Sequence, residues 1–342
     1  MQGKTRVVRL VAMFALAWGI ALPATTAAQT ATRAKAPAKT AAPAPAKPTR
    51  SSLARARAAA AARARLAAAA RRQEEAKPRF KLDELGNLIP DARAAAAIVF
   101  DPSTGQVLWE QNSHDQRSIA SITKVMTSVV FLADAPDLSQ KVMVTRADMR
   151  NASVTYLKAN ERVSYDDLLH LLLIASDNGA ARVLARTSEG GTQAFVERMN
   201  EMAQHLNLGS THYTDPSGLE STNVSSAYDL SHLIAFAAAD PVIGPIMRTT
   251  EYEAHPTFGT VTVHSTNKLL GTDVDVRGGK TGFISKAGYC LATLLQMPQG
   301  SPVAVVVLGA ATSTSRFLEA RHLFNWVVGR PQGLGGGDVK DE

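Results

Sequence analysis

A serine and a lysine three residues apart, in the sequence Ser-Ile-Thr-Lys at 121–124, could carry out nucleophilic catalysis. Apolar residues recur at three- and four-residue steps along this stretch, which predicts a helix over residues 120–133 with one buried face. Residues i and i+3 of a helix are neighbours, so the Lys124 amine would lie beside the Ser121 hydroxyl. Because burial disfavours the charged form of lysine and lowers its pKa, Lys124 could accept the serine's proton.

The pattern Ser-x-x-Lys is short enough to occur by chance, and a second copy runs from Ser265 to Lys268. The residues around each copy must therefore distinguish them. Downstream of the first copy, a predicted helix over 165–175 leads into a Ser-Asp-Asn sequence, where the Ser176 hydroxyl could relay a proton. The amide of Asn178 could hold a substrate carbonyl or orient a lysine.

A third motif, Lys-Thr-Gly at 280–282, occurs once in the chain. It follows two glycines on a predicted strand over 275–283, and such small residues let a ligand approach the backbone closely. The Lys280 ammonium and the Thr281 hydroxyl could bind a carboxylate. Ser-x-x-Lys, Ser-Asp-Asn and Lys-Thr-Gly in this order are the motif set of penicillin-binding proteins and class A β-lactamases. Only the copy that begins at Ser121 is followed by both other motifs.

The elements that must position these motifs predict an α+β fold. Strands near both ends of the predicted domain enclose a helical segment, so the sheet would be assembled from both chain ends. The predicted strands cover residues 95–100, 106–109, 260–264, 275–283, 287–296 and 302–310. The predicted helices cover residues 120–133, 165–175, 179–187, 192–205, 227–239 and 313–328.

Composition divides the chain into four predicted segments. Residues 1–28 have a basic start, an apolar run and small residues, which is typical of a secretory signal peptide. Residues 29–81 carry 14 Lys or Arg against two Glu, a net charge of +12, and are expected to form a basic linker that is mobile or partly helical. A folded domain is expected over 82–330 and a flexible tail over 331–342.

The basic linker and the signal peptide bear on partners and localisation. The linker could contact an anionic cell wall, whereas nucleic acid is not expected because no aromatic residues interleave the basic ones over 29–75. The apolar run of the signal peptide is shorter than the roughly 20 residues of a spanning helix, so no stable membrane anchor is expected. Export to the periplasm is therefore predicted.

Over about residues 90–328, the chain resembles the low-molecular-mass penicillin-binding proteins, which are serine D-alanyl-D-alanine peptidases. The resemblance implies a β-lactamase/transpeptidase-like fold, in which a five-stranded antiparallel sheet is flanked by helices and stands beside an all-helical lobe. Besides the three motifs, it rests on Ala-Ala-Ile-Val-Phe-Asp at 96–101, Arg-Ser-Ile-Ala at 117–120, Asp-Pro-Ser-Gly-Leu at 215–219, Ser-Ser-Ala-Tyr-Asp at 225–229 and Gly-Lys-Thr-Gly-Phe at 279–283.

The same resemblance implies the catalytic roles. Ser121 would attack the carbonyl of a D-Ala peptide bond and form an acyl-enzyme, with Lys124 as the general base. Ser176 and Lys280 would pass a proton to the leaving amine. The backbone N–H groups of Ser121 and Phe283 would form an oxyanion hole.

The resemblance also implies how substrate is bound. Asn178 would position the peptide, and Lys280 and Thr281 would bind the carboxylate beyond the scissile bond, followed on the same strand by Gly282 and Phe283. No metal and no other cofactor is implied. The expected partners are peptidoglycan stem peptides and cross-links, with β-lactam antibiotics as acylating inhibitors.

Several members of this group stay open as alternatives. Class A β-lactamases carry a deacylating glutamate in a Glu-x-x-Leu-Asn segment, and the nearest sequence here, from Glu201 to Asn207, has the wrong spacing. Membrane-bound carboxypeptidases of the group usually add a β-rich domain and an anchor helix, whereas this chain ends soon after its last predicted helix. We therefore expect a penicillin-binding protein 7 type endopeptidase that cuts D-Ala–meso-diaminopimelate cross-links. The alternatives are a D-Ala-D-Ala carboxypeptidase, then a β-lactamase, then a non-catalytic wall-binding protein.

Overall fold

The structure, a computed structural model, describes residues 50–329. The predicted signal peptide, residues 29–49 of the predicted linker and the predicted tail lie outside the described residues, and the predicted domain boundaries stay predictions. The described residues fall into two compact units, which divide after Ala60. Within residues 50–329, no helix combines the length and the apolar content that crossing a bilayer requires.

The described residues form helices and antiparallel strand pairs, each numbered in chain order. The α-helices are α1 (Arg50–Glu75), α2 (Thr123–Ala133), α3 (Arg146–Met149), α4 (Tyr165–Ile174), α5 (Asn178–Thr187), α6 (Gly191–His205), α7 (Ala227–Ala239), α8 (Ile243–Arg248) and α9 (Ser315–Val328). The strands are β1 (Phe80–Leu82), β2 (Leu88–Pro90), β3 (Ala96–Asp101), β4 (Gln106–Gln111), β5 (Arg117–Ser118), β6 (Lys141–Met143), β7 (Arg162–Ser164), β8 (Val224–Ser225), β9 (Glu251–Ala254), β10 (Val261–His264), β11 (Val276–Ile284), β12 (Gly288–Gln296) and β13 (Pro302–Ala310). A 3₁₀ turn, Ala120–Ile122, precedes α2.

The main sheet has five strands in the order β11-β12-β13-β3-β4, and all of its neighbours are antiparallel. The early strand β3 pairs with the late strand β13, with Phe100 opposite Ala304. This pairing closes the sheet from both ends of the domain, as the sequence predicts. The strand with the Lys-Thr-Gly motif, β11, lies at one edge of the sheet, which leaves one side of it open toward the helices and the candidate site.

The core lies on both faces of this sheet. Successive strand residues point to opposite faces, so Ile98 and Val306 join the larger cluster while Val99 and Val305 join the smaller one. Helices α2, α4, α5 and α7 contribute to the larger cluster, and α9 covers the other face through Phe324 and its neighbours. Full burial of one such aliphatic side chain contributes about 1.5–3 kcal/mol to stability, so this core fixes the elements that bear the motifs.

The predicted long helices and strands are present, but their ends differ in two places that matter. The predicted helix over 165–175 ends at Ile174, because Ser176 adopts a left-handed backbone with φ of 62° and Asp177 caps the next helix. The predicted helix over 120–133 begins as the 3₁₀ turn. Some short elements, such as α8 and strand β9, were not predicted because such short segments show no clear periodicity, whereas β10 lies within the strand predicted over 260–264.

Candidate active site

Ser121 lies in the 3₁₀ turn, at the junction between the sheet and helix α2. The residue before it, Ala120, has φ of 50°, a left-handed conformation that is uncommon for a residue with a Cβ atom. The Lys124 amine donates a hydrogen bond to the Ser121 hydroxyl at 3.0 Å. The structure therefore places this serine and lysine side by side, on a backbone whose strain is typical of functional sites.

Lys124 is fully buried and has two further hydrogen-bond acceptors. Its amine donates to Asn178 Oδ1 at 2.6 Å and to the Ser217 carbonyl oxygen at 2.5 Å. An ammonium has three hydrogens, which these two acceptors and Ser121 would take up. A neutral amine has only two hydrogens, so with both given to Asn178 and Ser217 its lone pair points at the serine hydroxyl. The arrangement can thus remove a proton from Ser121.

Burial and nearby charges together place the pKa of Lys124 near neutral pH. Burial lowers the pKa of Lys124 from 10.5 to about 7, with a smaller contribution from the positive charge of Arg182. The carboxylates of Asp215 and Asp177 act in the opposite direction and keep this pKa from falling further. At pH 7 about half of the molecules then carry the neutral amine.

The Ser-Asp-Asn motif forms the corner between α4 and α5. Asp177 caps α5, and Asn178 begins it with its side chain buried. Asn178 Oδ1 accepts from Lys124, while its Nδ2 donates to the Ala152 carbonyl oxygen at 2.5 Å. The sequence left two roles open for the Asn178 amide, holding a substrate carbonyl or orienting a lysine. The contact with Lys124 in the structure corresponds to the second role. The substrate-binding role of Asn178 stays a prediction.

The Lys-Thr-Gly strand meets this corner from the opposite side. The buried Lys280 amine donates to the Ser176 hydroxyl at 2.8 Å and to the Thr281 carbonyl oxygen at 3.0 Å. Burial lowers the pKa of Lys280, and the positive charges of Lys124 and Arg316 lower it further. All three motifs are thus brought to one place, with two buried lysines whose pKa values are lowered.

The sequence did not predict a role for Thr266, which lies inside the second Ser-x-x-Lys copy. The Thr281 hydroxyl donates to the Thr266 hydroxyl at 2.7 Å, so this residue contacts the motif strand. In that second copy, the exposed Lys268 amine donates to the backbone carbonyl of Ser265. In the first copy the lysine amine donates to the serine hydroxyl, whereas in the second copy it donates to the serine's backbone carbonyl.

Gly282 lets strand β11 lie against the 3₁₀ turn. A Cβ atom there would stand 2.7 Å from the Ile119 carbonyl oxygen and 3.2 Å from the Ser121 backbone nitrogen. The next residue, Phe283, is half exposed and its ring stacks on Tyr289 with centroids 4.2 Å apart. The strand is thus close to the nucleophile's backbone N–H, and the predicted oxyanion hole stays a prediction.

Gly218 packs closely against the backbone of the 3₁₀ turn, and its replacement by alanine should lower the protein's stability more than most glycine substitutions do. Gly218 has φ of 79°, and a Cβ atom would stand 2.0 Å from the Ala120 carbonyl oxygen. Gly105 has nearly the same φ, 75°, but nothing within 4 Å of its Cβ position. We expect Gly218→Ala to lower the free energy of unfolding by about 3 kcal/mol or more, and the control Gly105→Ala by about 1 kcal/mol.

Urea unfolding of both glycine variants measures this difference. The Gly218 variant should also react more slowly with penicillin, because the clash displaces the residue before Ser121. Equal losses of stability in the two variants would show that only the backbone conformation, and not the contact with Ala120, matters at Gly218.

The chain matches a known protein family over most of its described length. The sequence profile of the D-alanyl-D-alanine carboxypeptidase family, peptidase family S11, matches residues 84–312. A D-alanyl-D-alanine endopeptidase of Escherichia coli K12 is 33% identical over 244 residues, which are 70% of this chain and 78% of that protein. A D-alanyl-D-alanine endopeptidase of Pseudomonas aeruginosa PAO1 is 33% identical over 68% of this chain and 77% of its own length. The E. coli D-alanyl-D-alanine carboxypeptidase DacD is 34% identical over 69% of this chain and 63% of its own length.

Solved structures show the same fold. The Streptomyces K15 DD-transpeptidase matches with a TM-score of 0.66 and 27% identity, over 70% of this chain and 98% of that one. A D-alanyl-D-alanine carboxypeptidase of Mycobacterium tuberculosis H37Rv matches with a TM-score of 0.66 and 29% identity, over 72% of this chain and 94% of that one. The predicted transpeptidase-like α+β fold is confirmed. The chain belongs to the D-alanyl-D-alanine carboxypeptidase family, peptidase family S11, and is a serine DD-peptidase that acts on peptidoglycan.

Proposed function

We propose that this protein is a DD-endopeptidase that cuts D-Ala–meso-diaminopimelate cross-links in peptidoglycan. The observation that carries the proposal is how much of each relative the chain matches. It covers 78% and 77% of the two D-alanyl-D-alanine endopeptidases but 63% of the carboxypeptidase DacD, although the identities differ by only one percentage point. The similarity thus spans more of the endopeptidases than of the carboxypeptidase.

In the proposed reaction, the neutral Lys124 amine takes the proton of Ser121 as the serine oxygen bonds to the D-Ala carbonyl carbon. The carbon–nitrogen bond then breaks, and the leaving amine receives a proton by way of Ser176 and Lys280, whose hydroxyl and amine are hydrogen-bonded at 2.8 Å. Water hydrolyses the resulting ester, which releases the D-Ala carboxylate and restores the serine. β-Lactam antibiotics would acylate the same oxygen.

The proposed substrate contacts lie along strand β11 and at the start of α5. Lys280 and the Thr281 hydroxyl bind the carboxylate of the D-centre beyond the scissile bond, and Asn178 positions the peptide. Gly282 leaves room for the strand to approach the nucleophile, so the N–H group of Phe283 and that of the nucleophile can form the oxyanion hole.

We further propose that the protein works in the periplasm, exported by residues 1–28. The basic segment over 29–81 would contact the anionic cell wall. Exposed arginines along α1, among them Arg57 and Arg65, support this contact. Association of the protein with peptidoglycan should then weaken as salt is added, because screening shortens the reach of exposed charges.

Two defined muropeptides distinguish the endopeptidase from the other candidates. Residues 29–342 would be incubated with a monomeric pentapeptide and with a D-Ala-linked dimer, and the products read by mass. Conversion of the dimer to monomers, blocked by penicillin, would support the proposal. Loss of one alanine from the pentapeptide, with the dimer intact, would make the protein a carboxypeptidase. Rapid steady hydrolysis of benzylpenicillin would make it a β-lactamase. No reaction with the pentapeptide, the dimer or benzylpenicillin would indicate a non-catalytic wall-binding protein.

Acylation by benzylpenicillin should accelerate as pH rises through about 7. Below the pKa of Lys124, which is about 7, the amine is protonated and cannot accept the proton of Ser121. The neutral fraction is about one tenth at pH 6 and about nine tenths at pH 8, so the rate constant should rise about tenfold between them. Stopped-flow acylation between pH 5.5 and 8.5 measures this limb, and a rate constant independent of pH would contradict the role of Lys124.

A further inference from the structure

The Ser217 carbonyl oxygen, one of the two acceptors that hold the Lys124 amine, is itself fixed by a neighbouring carboxylate. Asp215 Oδ1 accepts from the Ser217 backbone N–H at 2.6 Å, from the Ser217 hydroxyl at 2.5 Å and from the Gly218 N–H at 2.9 Å. Asp215 Oδ2 accepts from the Glu220 N–H at 2.9 Å. The Gly218 bond holds the peptide group that contains this carbonyl, and the Ser217 N–H bond holds the peptide group before it.

Asn223 fixes the same loop from its other side. Its fully buried side chain donates through Nδ2 to the Asp215 carbonyl oxygen at 2.9 Å and to Thr123 Oγ1 at 3.2 Å. Its Oδ1 accepts from the Thr214 N–H at 2.6 Å and from the Asp215 N–H at 3.1 Å. The loop is thereby tied to the residue next to Lys124 in helix α2.

We propose that Asp215 and Asn223 are positioning residues for Lys124, because they hold the Ser217 carbonyl oxygen where it accepts a hydrogen bond from the lysine amine. This inference rests on the proposed role of Lys124 as the base. If the carbonyl oxygen moved, one of the two hydrogens of the neutral amine would lose its acceptor. The lone pair would then no longer be confined to the direction of Ser121.

The two residues differ in charge, which gives each a different experimental signature. Asp215 and Asp177 place negative charge near Lys124, while Arg182 and Lys280 place positive charge there. Neutralising Asp215 removes an attraction for the ammonium and lowers the pKa of Lys124, whereas Asn223 carries no charge to remove. Both replacements loosen the carbonyl, but only the one at Asp215 should move the acidic limb of the rate profile.

The chain contains a matched control, because Asp-Pro-Ser also occurs in the exposed hairpin turn that begins at Asp101. Asp101 Oδ1 accepts from the Ser103 N–H at 2.8 Å and from the Ser103 hydroxyl at 2.6 Å, as Asp215 does from Ser217. Asp101→Asn therefore reproduces the local chemistry of Asp215→Asn at a distance from the site.

The experiment measures the rate constant of acylation by benzylpenicillin against pH, on the full mature chain, for Asp215→Asn, Asn223→Ala and Asp101→Asn. Intact mass gives the fraction of each protein that can be acylated, so partial misfolding does not distort the rate constant. We expect the plateau to fall about tenfold or more in the first two variants. The acidic limb should move to lower pH by about half to one unit in Asp215→Asn alone. Asp101→Asn should match the wild type.

Three outcomes decide between the explanations. The expected pattern supports the inference. An acidic limb that stays at the wild-type pH in Asp215→Asn, or a plateau in Asn223→Ala equal to that of Asp101→Asn, overturns it, because the loop would then serve stability alone. A wild-type protein that benzylpenicillin does not acylate at all would instead overturn the proposed function, whatever the variants do.

Discussion

Replacing Ser121 with alanine is expected to lower the rate of dimer cleavage on the order of 10⁵-fold, with substrate binding largely retained. In the proposed reaction the serine oxygen bonds to the substrate. The other hydroxyl contacted by a buried lysine, that of Ser176 beside Lys280, passes a proton to the leaving amine in that reaction. Since Ser121 is only partly buried, the substitution should change the free energy of unfolding by about 1 kcal/mol or less.

The second Ser-x-x-Lys copy supplies the matched control for this substitution. The Ser265 hydroxyl accepts from the Asn267 backbone N–H, and the Lys268 amine donates to the backbone carbonyl of Ser265. Ser265→Ala should therefore keep the cleavage rate within about threefold of the wild type. Cleavage by Ser121→Ala at a rate near that of Ser265→Ala would show that the nucleophile lies elsewhere.

Replacing Lys124 with arginine or methionine is expected to lower the rate constant of acylation by about 10³-fold. Arginine keeps the positive charge but stays protonated at every accessible pH, so it cannot accept a proton. Methionine has a similar length and cannot accept one either. If both variants fail while thermal unfolding shows a folded protein, the loss follows from proton transfer and not from charge or packing.

The exposed lysine of the second copy again provides the comparison. Lys268→Arg should leave the acylation rate within about threefold of the wild type, because its amine is exposed. Acylation of Lys124→Arg at a rate comparable to that of Lys268→Arg would exclude Lys124 as the base. A different group, such as Lys280, would then have to take the serine's proton.

The sequence was sufficient to predict the contacts that depend on local spacing. Ser121 and Lys124 are neighbours because they stand three positions apart in helical backbone, and the order of the motifs distinguished this pair from the copy at Ser265. The antiparallel sheet was likewise predictable, since its long strands have continuous apolar runs and the pairing of β3 with β13 follows from strands at both ends of the domain.

The rest of the site could not be predicted because it consists of backbone groups and hydroxyls that leave no pattern. The carbonyl oxygens of Ser217 and Ala152 hold Lys124 and Asn178, and any residue type at these positions has a carbonyl oxygen. Thr266 lies two residues after strand β10 and meets Thr281 of strand β11 through their hydroxyl groups. Such contacts are set by tertiary structure, so a sequence pattern cannot reveal them.

The central claim, that Ser121 becomes covalently acylated, can be tested most directly by mass spectrometry. The protein without residues 1–28 would be mixed with benzylpenicillin, its intact mass measured, and the modified residue located by peptide mapping. We predict one penicilloyl group per chain, attached to Ser121 and absent from the peptide that contains Ser265. A group found on Ser265, or an unmodified chain after prolonged exposure at pH 8, would contradict it.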